Sequence, residues 1–321
     1  MYDIVALGEM LIDFTCVGQD DDGYPLMQGH PGGAPVNFLA AAAKYGAKTA
    51  QFAKVGADAF GKLLIRSFAD AGIGTEGIRI SDEFFTTLAF VTLDEHGDRE
   101  FSFARKPGAD TQLRADELDA EMLENTRIFH FGTLSLTDEP ARTATQQAVF
   151  AAKRAGACIT FDPNYRAPLW KSPEQAKEQI LWGLRQADVV KISDSEADFL
   201  FGLSPEQGAE KLLSDFGVKL ALVTCGADGC VYRNARCAGR VPSLPGVKAV
   251  DTTGAGDIFG GSAVWKLLET GKAPEMLENE QLRQIVRFAC AAAGMSVEKP
   301  GGMSSVPEKT DVLECLKRWE I

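Results

Sequence analysis

Seven consecutive residues, Asp251-Thr252-Thr253-Gly254-Ala255-Gly256-Asp257, carry the densest chemical signal in the chain. An apolar run ends at Val250 just before them, and a helical pattern follows from Ile258 to Leu268, stopping at Gly271. Small residues at 254–256 let the backbone approach a ligand closely. The first N–H groups of a helix lack internal partners and lie at its positive end. Together these make an anion cradle. Asp257 stands at the same helix start. It could cap the helix. Beside a bound anion it could instead take a proton from a hydroxyl that attacks a phosphoryl group.

Three further segments carry groups of the right kind. Gly29-His30-Pro31-Gly32-Gly33-Ala34-Pro35-Val36-Asn37 places two glycines before a proline suited to a first helical turn, and then sets Asn37 on an otherwise apolar helix. That amide either packs with its hydrogen bonds satisfied or reads a ligand hydroxyl. Phe161-Asp162-Pro163-Asn164-Tyr165-Arg166 follows an apolar strand, and the carboxyl ends of parallel strands are where α/β sheets bind ligands. Arg166 offers a rigid fork of donors for sugar hydroxyls or phosphate. In Lys191-Ile192-Ser193-Asp194-Ser195-Glu196, Ser193 and Glu196 have capping-box spacing, while Glu196 could also hold a hydrated Mg²⁺. Two look-alikes carry less. Gly56 to Leu63 misses the P-loop at its last position, where Leu63 replaces Ser or Thr. Gly254-Ala255-Gly256 is only half of a dinucleotide fingerprint, so a dehydrogenase is a distant reading.

The elements that must position these groups alternate. Apolar strand-like runs at 4–7, 49–55, 128–131, 158–161, 189–192 and 220–224 are separated by helical patterns at 36–45, 59–71, 139–155 and 173–186 and after Ser193 and Ser204. Repeated β-α-β units with fully apolar strands predict a doubly wound, mainly parallel sheet covered by helices on both faces. Two segments break the rhythm, at about 11–30 and 84–106. The second alternates apolar and polar residues around a turn at 94–97. Both predict a small β-sheet lid inserted in a single α/β domain rather than a second independent domain. Asp20, Asp21 and Asp22 read as a solvated turn.

Composition bounds the partners. The chain has 321 residues, 45% hydrophobic and 24% charged, with a formal net charge of −12. That acidity argues against nucleic-acid binding and against attachment to anionic lipid, so an anionic ligand would need a local device to hold it. Seven scattered cysteines without C-x-x-C and only three histidines give neither a disulfide framework nor zinc spacing. The amino-terminal stretch lacks a basic region and carries Asp3, Glu9 and Asp13, so it does not read as a signal peptide, and the apolar runs are too short to span a membrane. A cytoplasmic protein is expected.

Taken together, the D-T-T-G-A-G-D and G-G-A-P-x-N motifs resemble those of the ribokinase-like (PfkB) carbohydrate kinases, over essentially the whole chain. Within that family the segments P-G-G-A-P-V-N, F-D-P-N-Y-R-A-P-L-W and K-I-S-D-S-E-A-D-F are most similar to fructokinases. The resemblance implies phosphoryl transfer from ATP to D-fructose, giving fructose 6-phosphate. It implies Asp257 as general base and the N–H groups of Gly254, Ala255 and Gly256 as the anion hole. Sugar contacts are implied for Asp13, Gly32, Gly33, Asn37, Asn164, Arg105 and Arg166, with Phe90 and Phe103 closing the apolar side from the lid. Lys191, Ser193, Thr224, Gly226 and Gly229 fall where the family lines its nucleotide site. Mg²⁺ is implied at Glu196 through water. A monovalent cation, usually K⁺, is implied at Asp251, Thr253, Ser296, Lys299, Gly301 and Ser305, mainly through backbone carbonyls. Many relatives carry Asn where this chain has Ser193. Pairing of two copies through the lid is a further expectation. A 2-keto-3-deoxygluconate kinase, with Arg105 and Arg166 on a substrate carboxylate, is the alternative within the class. A non-catalytic sugar or nucleotide sensor is the alternative outside it.

Overall fold

The computed structural model describes residues 1–93 and 99–319. The turn expected at 94–97 lies outside the described residues. In chain order the first half holds β1 (Tyr2–Leu7), β2 (Leu11–Gln19), β3 (Pro25–Gly32), α1 (Ala34–Lys44), β4 (Thr49–Gly56), α2 (Ala59–Asp70), β5 (Ile73–Gly74), β6 (Ile78–Ser81), β7 (Thr87–Leu93), β8 (Arg99–Ala104), α3 (Ala120–Glu124), β9 (Thr126–Gly132) and α4 (Ala141–Arg154). The second half holds β10 (Cys158–Asp162), α5 (Pro173–Gln186), β11 (Val189–Ser193), α6 (Asp194–Phe201), α7 (Pro205–Phe216), β12 (Leu220–Thr224), β13 (Cys230–Asn234), β14 (Ala238–Val241), α8 (Ala255–Thr270), α9 (Asn279–Ser296) and α10 (Lys309–Arg318).

The large sheet has the order β14-β13-β12-β11-β10-β9-β1-β4-β5, with β6 also paired to β4. It is parallel except at one end, where β13 and β14 turn back antiparallel. Alternate residues of β1 enter opposite cores, because side chains on a strand alternate between faces. Ile4 and Ala6 join α1, α8 and α9 on one side, and Val5 and Leu7 join α4, α5 and α7 on the other. The parallel strands from β4 to β12 all end at one edge, and their loops gather there.

A separate four-stranded sheet has the order β3-β2-β7-β8, with β2 and β7 parallel and the other pairs antiparallel. Asp20 to Asp22 form the turn between β2 and β3, with Asp20 Oδ1 accepting from the Asp22 and Tyr24 N–H groups. The near-P-loop is a helix start. Asp58 caps α2 by accepting from the Phe60 and Gly61 N–H groups. Among the described residues no helix is long and apolar enough to cross a membrane.

Candidate active site

Helix α8 begins without a side-chain cap. Its N-cap is Gly254 at φ 75°, left-handed backbone that suits glycine. A side chain at 254 would also come within 3.0 Å of Asn37 and of the Gly302 Cα. The first turn is therefore uncapped by any side chain, as an anion cradle requires, with the Ala255 N–H resting on Thr252 O at 3.3 Å. Asp257 does not cap. It is buried, and its Oδ2 accepts from Asn37 Nδ2 at 3.0 Å, so α1 and α8 meet through this pair. Among the described residues Asn37 Oδ1 is buried with no partner, an acceptor in place for a donor from outside the protein.

Burial, reinforced by the Asp162 carboxylate, raises the Asp257 pKa to about 7, against the opposing pull of Lys191, Asn37 and Arg166. Lys191 Nζ lies beside Gly256, 3.0 Å from where a side chain there would begin, and pairs with Asp162 Oδ2 at 2.8 Å. Burial disfavours the charged ammonium, but Asp162, Glu196 and Asp257 outweigh it and hold the Lys191 pKa above its ordinary value. Both carboxylate oxygens of Glu196 are engaged. Oε2 accepts from the Ser193 N–H at 2.7 Å in a capping box, and Oε1 accepts from the Tyr165 N–H at 2.8 Å, tying the loops after β10 and β11 together. Asn164 sits in a turn held by its N–H to Asp162 Oδ1, at φ 44°.

Across the cleft, Asp13 on β2 lies against the Gly32 backbone. A side chain at 32 would collide with Asp13 Oδ2, so only glycine allows this approach. Burial raises the Asp13 pKa to about 7, partly offset by Arg166. Glu9, also raised by burial to about 7, accepts from the Ala34 N–H at 2.7 Å and so fixes the start of α1 next to Gly33.

On its other side the α8 N-terminus opens into a cavity of 560 Å³. Thr224, Gly226, Gly229, Ala255 and Gly256 line it, as does an α9 face of Cys290, Ala293, Gly294 and Val297. At Gly226 nothing described lies within 4 Å of where a side chain would begin, so the cavity wall there faces open space. The turn at 250–253 is joined to the one at 296–301. Val250 N–H donates to Val297 O, and Asp251 accepts from Thr253 and from the Gly301 N–H. Lys299 N–H and Ser305 N–H close turns onto Ser296 O and Gly302 O.

Two of the implied sugar contacts have their side chains engaged within the protein. The Arg105 guanidinium is bonded internally. The side chain is 3% exposed and bonds Asp110 (2.8 Å), Thr137 Oγ1 (2.9 Å) and Leu134 O (2.8 Å), so the guanidinium is directed into the protein. Phe90 does not share a face of the four-stranded sheet with Phe103. The register pairs Asp13 with Ala89 and Ala89 with Phe103, but Phe14 with Phe90. Alternation along β7 therefore puts Phe103 on the Asp13 face and Phe90 on the opposite face, stacked on Phe14 at 5.4 Å. Sequence reasoning missed Asp162, Glu9 and the α9 face. The first two were legible as carboxylates at or just after strand ends. The third was legible as Cys290, Ala293, Gly294 and Val297 at helical spacing.

The pfkB family carbohydrate kinase pattern matches residues 1–309. Fructokinase-1 of Zea mays is 41% identical over 319 residues, 98% of each chain. The structure of fructokinase with bound ATP from Xylella fastidiosa is similar at TM-score 0.90 and 31% identity, covering 99% of each chain. A fructokinase double mutant from Vibrio cholerae O395, in fructose-, ADP- and potassium-bound form, is similar at TM-score 0.86 and 28% identity, covering 98% of each chain. An uncapped helix start with a buried carboxylate, set between a cavity and a polar cleft, thus coincides with whole-length similarity to sugar kinases, and the chain belongs to the pfkB family of carbohydrate kinases, a sugar phosphotransferase.

Proposed function

We propose that the protein is a fructokinase, ATP + D-fructose → ADP + D-fructose 6-phosphate, and that residues 1–321 act as one catalytic domain with the four-stranded sheet as its lid. The observation that carries this reading is the placement of Asp257. It lies at the uncapped N-terminus of α8, with the 560 Å³ cavity on one side and Asn37 on the other, while Arg166 is close enough to Asp257 and Asp13 to act on both carboxyl groups.

In this reading ATP lies in the cavity along Thr224, Gly226 and Gly229, with its γ-phosphoryl group against the N–H groups of Gly254, Ala255 and Gly256. Asp13, Gly32, Gly33, Asn37, Asn164 and Arg166 hold the sugar, and Phe103 covers it. Asp257 takes the proton of the primary hydroxyl. The sugar oxygen bonds to the γ-phosphorus, the bond to the β,γ-bridging oxygen breaks, and ADP leaves with that electron pair. Such a transfer needs positioning and charge stabilisation more than covalent chemistry. Lys191 meets the charge that develops on the phosphoryl oxygens.

Mg²⁺ fits as a cation brought by the nucleotide. Among the described residues no group of three or more His, Cys, Asp or Glu side chains could cage a metal, so Glu196 and the neighbouring Asp162 would act through water while phosphate oxygens supply charge neutralisation. In this reading K⁺ is held mainly by main-chain carbonyls of Asp251, Thr253, Ser296, Lys299, Gly301 and Ser305, which the joining of the turns at 250–253 and 296–301 through Asp251 and the Gly301 N–H supports. A neutral sugar is favoured over an acidic one, because Arg105 is paired internally with Asp110. Copies of the chain would pair through the lid, and the reaction would run in the cytoplasm. An ADP-release assay across fructose, tagatose, ribose, adenosine and 2-keto-3-deoxygluconate tests the substrate. Highest kcat/KM on fructose supports it, and a higher value on any other sugar overturns it.

A further inference from the structure

We infer that Asp110 is a positioning residue that clamps both legs of the β7–β8 hairpin to the body of the protein, setting the affinity for sugar without touching it. Thr87 is the first residue of β7, and its Oγ1 donates to Asp110 Oδ1. Arg105 is the residue after β8, and its Nε and Nη2 meet Asp110 Oδ2 at 2.8 and 2.7 Å. One carboxylate therefore holds the place where the hairpin leaves the body and the place where it returns.

Arg105 passes the hold on to the loop after β9. Its Nη1 donates to Thr137 Oγ1 at 2.9 Å, its Nη2 donates to Leu134 O at 2.8 Å, and Thr137 Oγ1 itself donates to Leu134 O. Arg105 and Asp110 side chains are 3% and 1% exposed. Truncating one partner of such a pair strands a buried charge, so the pair resists being pulled apart. The approach is so close that a side chain at Gly108 would collide with Thr87 Oγ1. The beginning of β7 has a second tie, Thr86 to Asp58, whereas the end of β8 is held to the body through Arg105.

The consequence falls on one substrate. Phe103 on β8 and the Asp13 face of β2 belong to the sheet being clamped, whereas the nucleotide cavity is lined by residues 224–297 of the body. Loosening the clamp should weaken sugar binding, leave ATP binding in place, and admit water to the phosphoryl group.

This inference rests on the lid reading but not on the identity of the sugar. Its test uses Thr87→Val, which keeps the branched shape and removes only the hydroxyl, alongside Asp110→Asn. The expected result is a KM for D-fructose raised about tenfold or more, KM for ATP within twofold, and a higher ratio of sugar-independent ATP hydrolysis to sugar phosphorylation. Amide hydrogen exchange of ligand-free protein should speed up in 87–93 and 99–104 and stay unchanged in β9–β12. If Asp110→Asn does not fold, Thr87→Val alone decides. Folded variants with unchanged KM for fructose and unchanged exchange overturn the clamp, as does an equal rise in both KM values. If the wild type does not turn over fructose, the substrate reading fails, and the exchange measurement still decides the clamp.

Discussion

As the proposed base, Asp257 must be neutral enough to survive burial and basic enough to accept a proton, and a pKa near 7 is the compromise. A base works deprotonated. The kcat/KM for sugar should therefore fall as pH drops through about 7, and Asp257→Asn should lower kcat by about 10²–10⁴-fold while calorimetry still detects sugar binding. A normal kcat in that variant would remove Asp257 from the role of base. The raised pKa also bears on stability. The folded value, about 7, lies above the ordinary carboxylate range, so between about pH 4 and 7 the folded state holds a proton that the unfolded chain has lost. This contribution is complete below about pH 4 and is lost as pH rises through 7. Asp257→Asn should consequently raise the melting temperature at pH 8, with the gain vanishing toward pH 4. Each tenfold difference in proton affinity between the two states corresponds to about 1.4 kcal/mol. An equal effect at both pH values would mean that the substitution acts through packing alone.

At the scale of elements, the start of α8 is the sensitive point. Gly254→Ala adds about 1–2 kcal/mol of left-handed backbone strain and brings a methyl to 3.0 Å from Asn37 Nδ2 and Gly302 Cα. A lower urea midpoint is expected together with a loss of kcat, because the cradle and the Asn37–Asp257 bond shift as one. Unchanged turnover at lower stability would separate the cradle from catalysis. The elements themselves were largely legible. Helix α5 (Pro173–Gln186) and strand β12 (Leu220–Thr224) fall where their patterns put them, since Ser172 caps and Pro173 starts the first, and an unbroken apolar run marks the second. The strands β6, β13 and β14 were not. They are short, and their pairing lies in partners rather than in period. The glycine-rich motifs likewise announced the site, but the direction of Arg105 did not show in them. It depends on Asp110, Leu134 and Thr137, which only the fold brings together. Phe90 was misplaced for a simpler reason, that register alone decides which face a strand residue takes.

For the whole molecule, Val17, Tyr24 and Leu26 are exposed around the β2–β3 turn of the small sheet, while Ile12 of β2 is buried in one of the two cores that flank the large sheet. Exposed apolar side chains gathered in one place are candidates for pairing with a second copy. Sedimentation equilibrium should give twice the monomer mass, and Leu26→Asp should return it to one. A monomer at all concentrations would remove dimerisation from the account. The net charge of −12 fits the same picture. The proposed anionic ligand is met by main-chain dipoles and Lys191 in a cleft, so the surface needs no basic patch.

Glu196 bonds the Ser193 N–H on the proposed nucleotide side and the Tyr165 N–H beside Arg166 on the proposed sugar side. On that proposal, whatever Mg-nucleotide does to the carboxylate would be felt by the chain that carries Arg166. Linkage then works as a closed thermodynamic cycle: if Mg-nucleotide tightens sugar binding by some factor, sugar must tighten Mg-nucleotide by the same factor. Titration calorimetry along both arms, with a non-hydrolysable ATP analogue, should return equal factors above one, and Glu196→Gln should bring both toward one together.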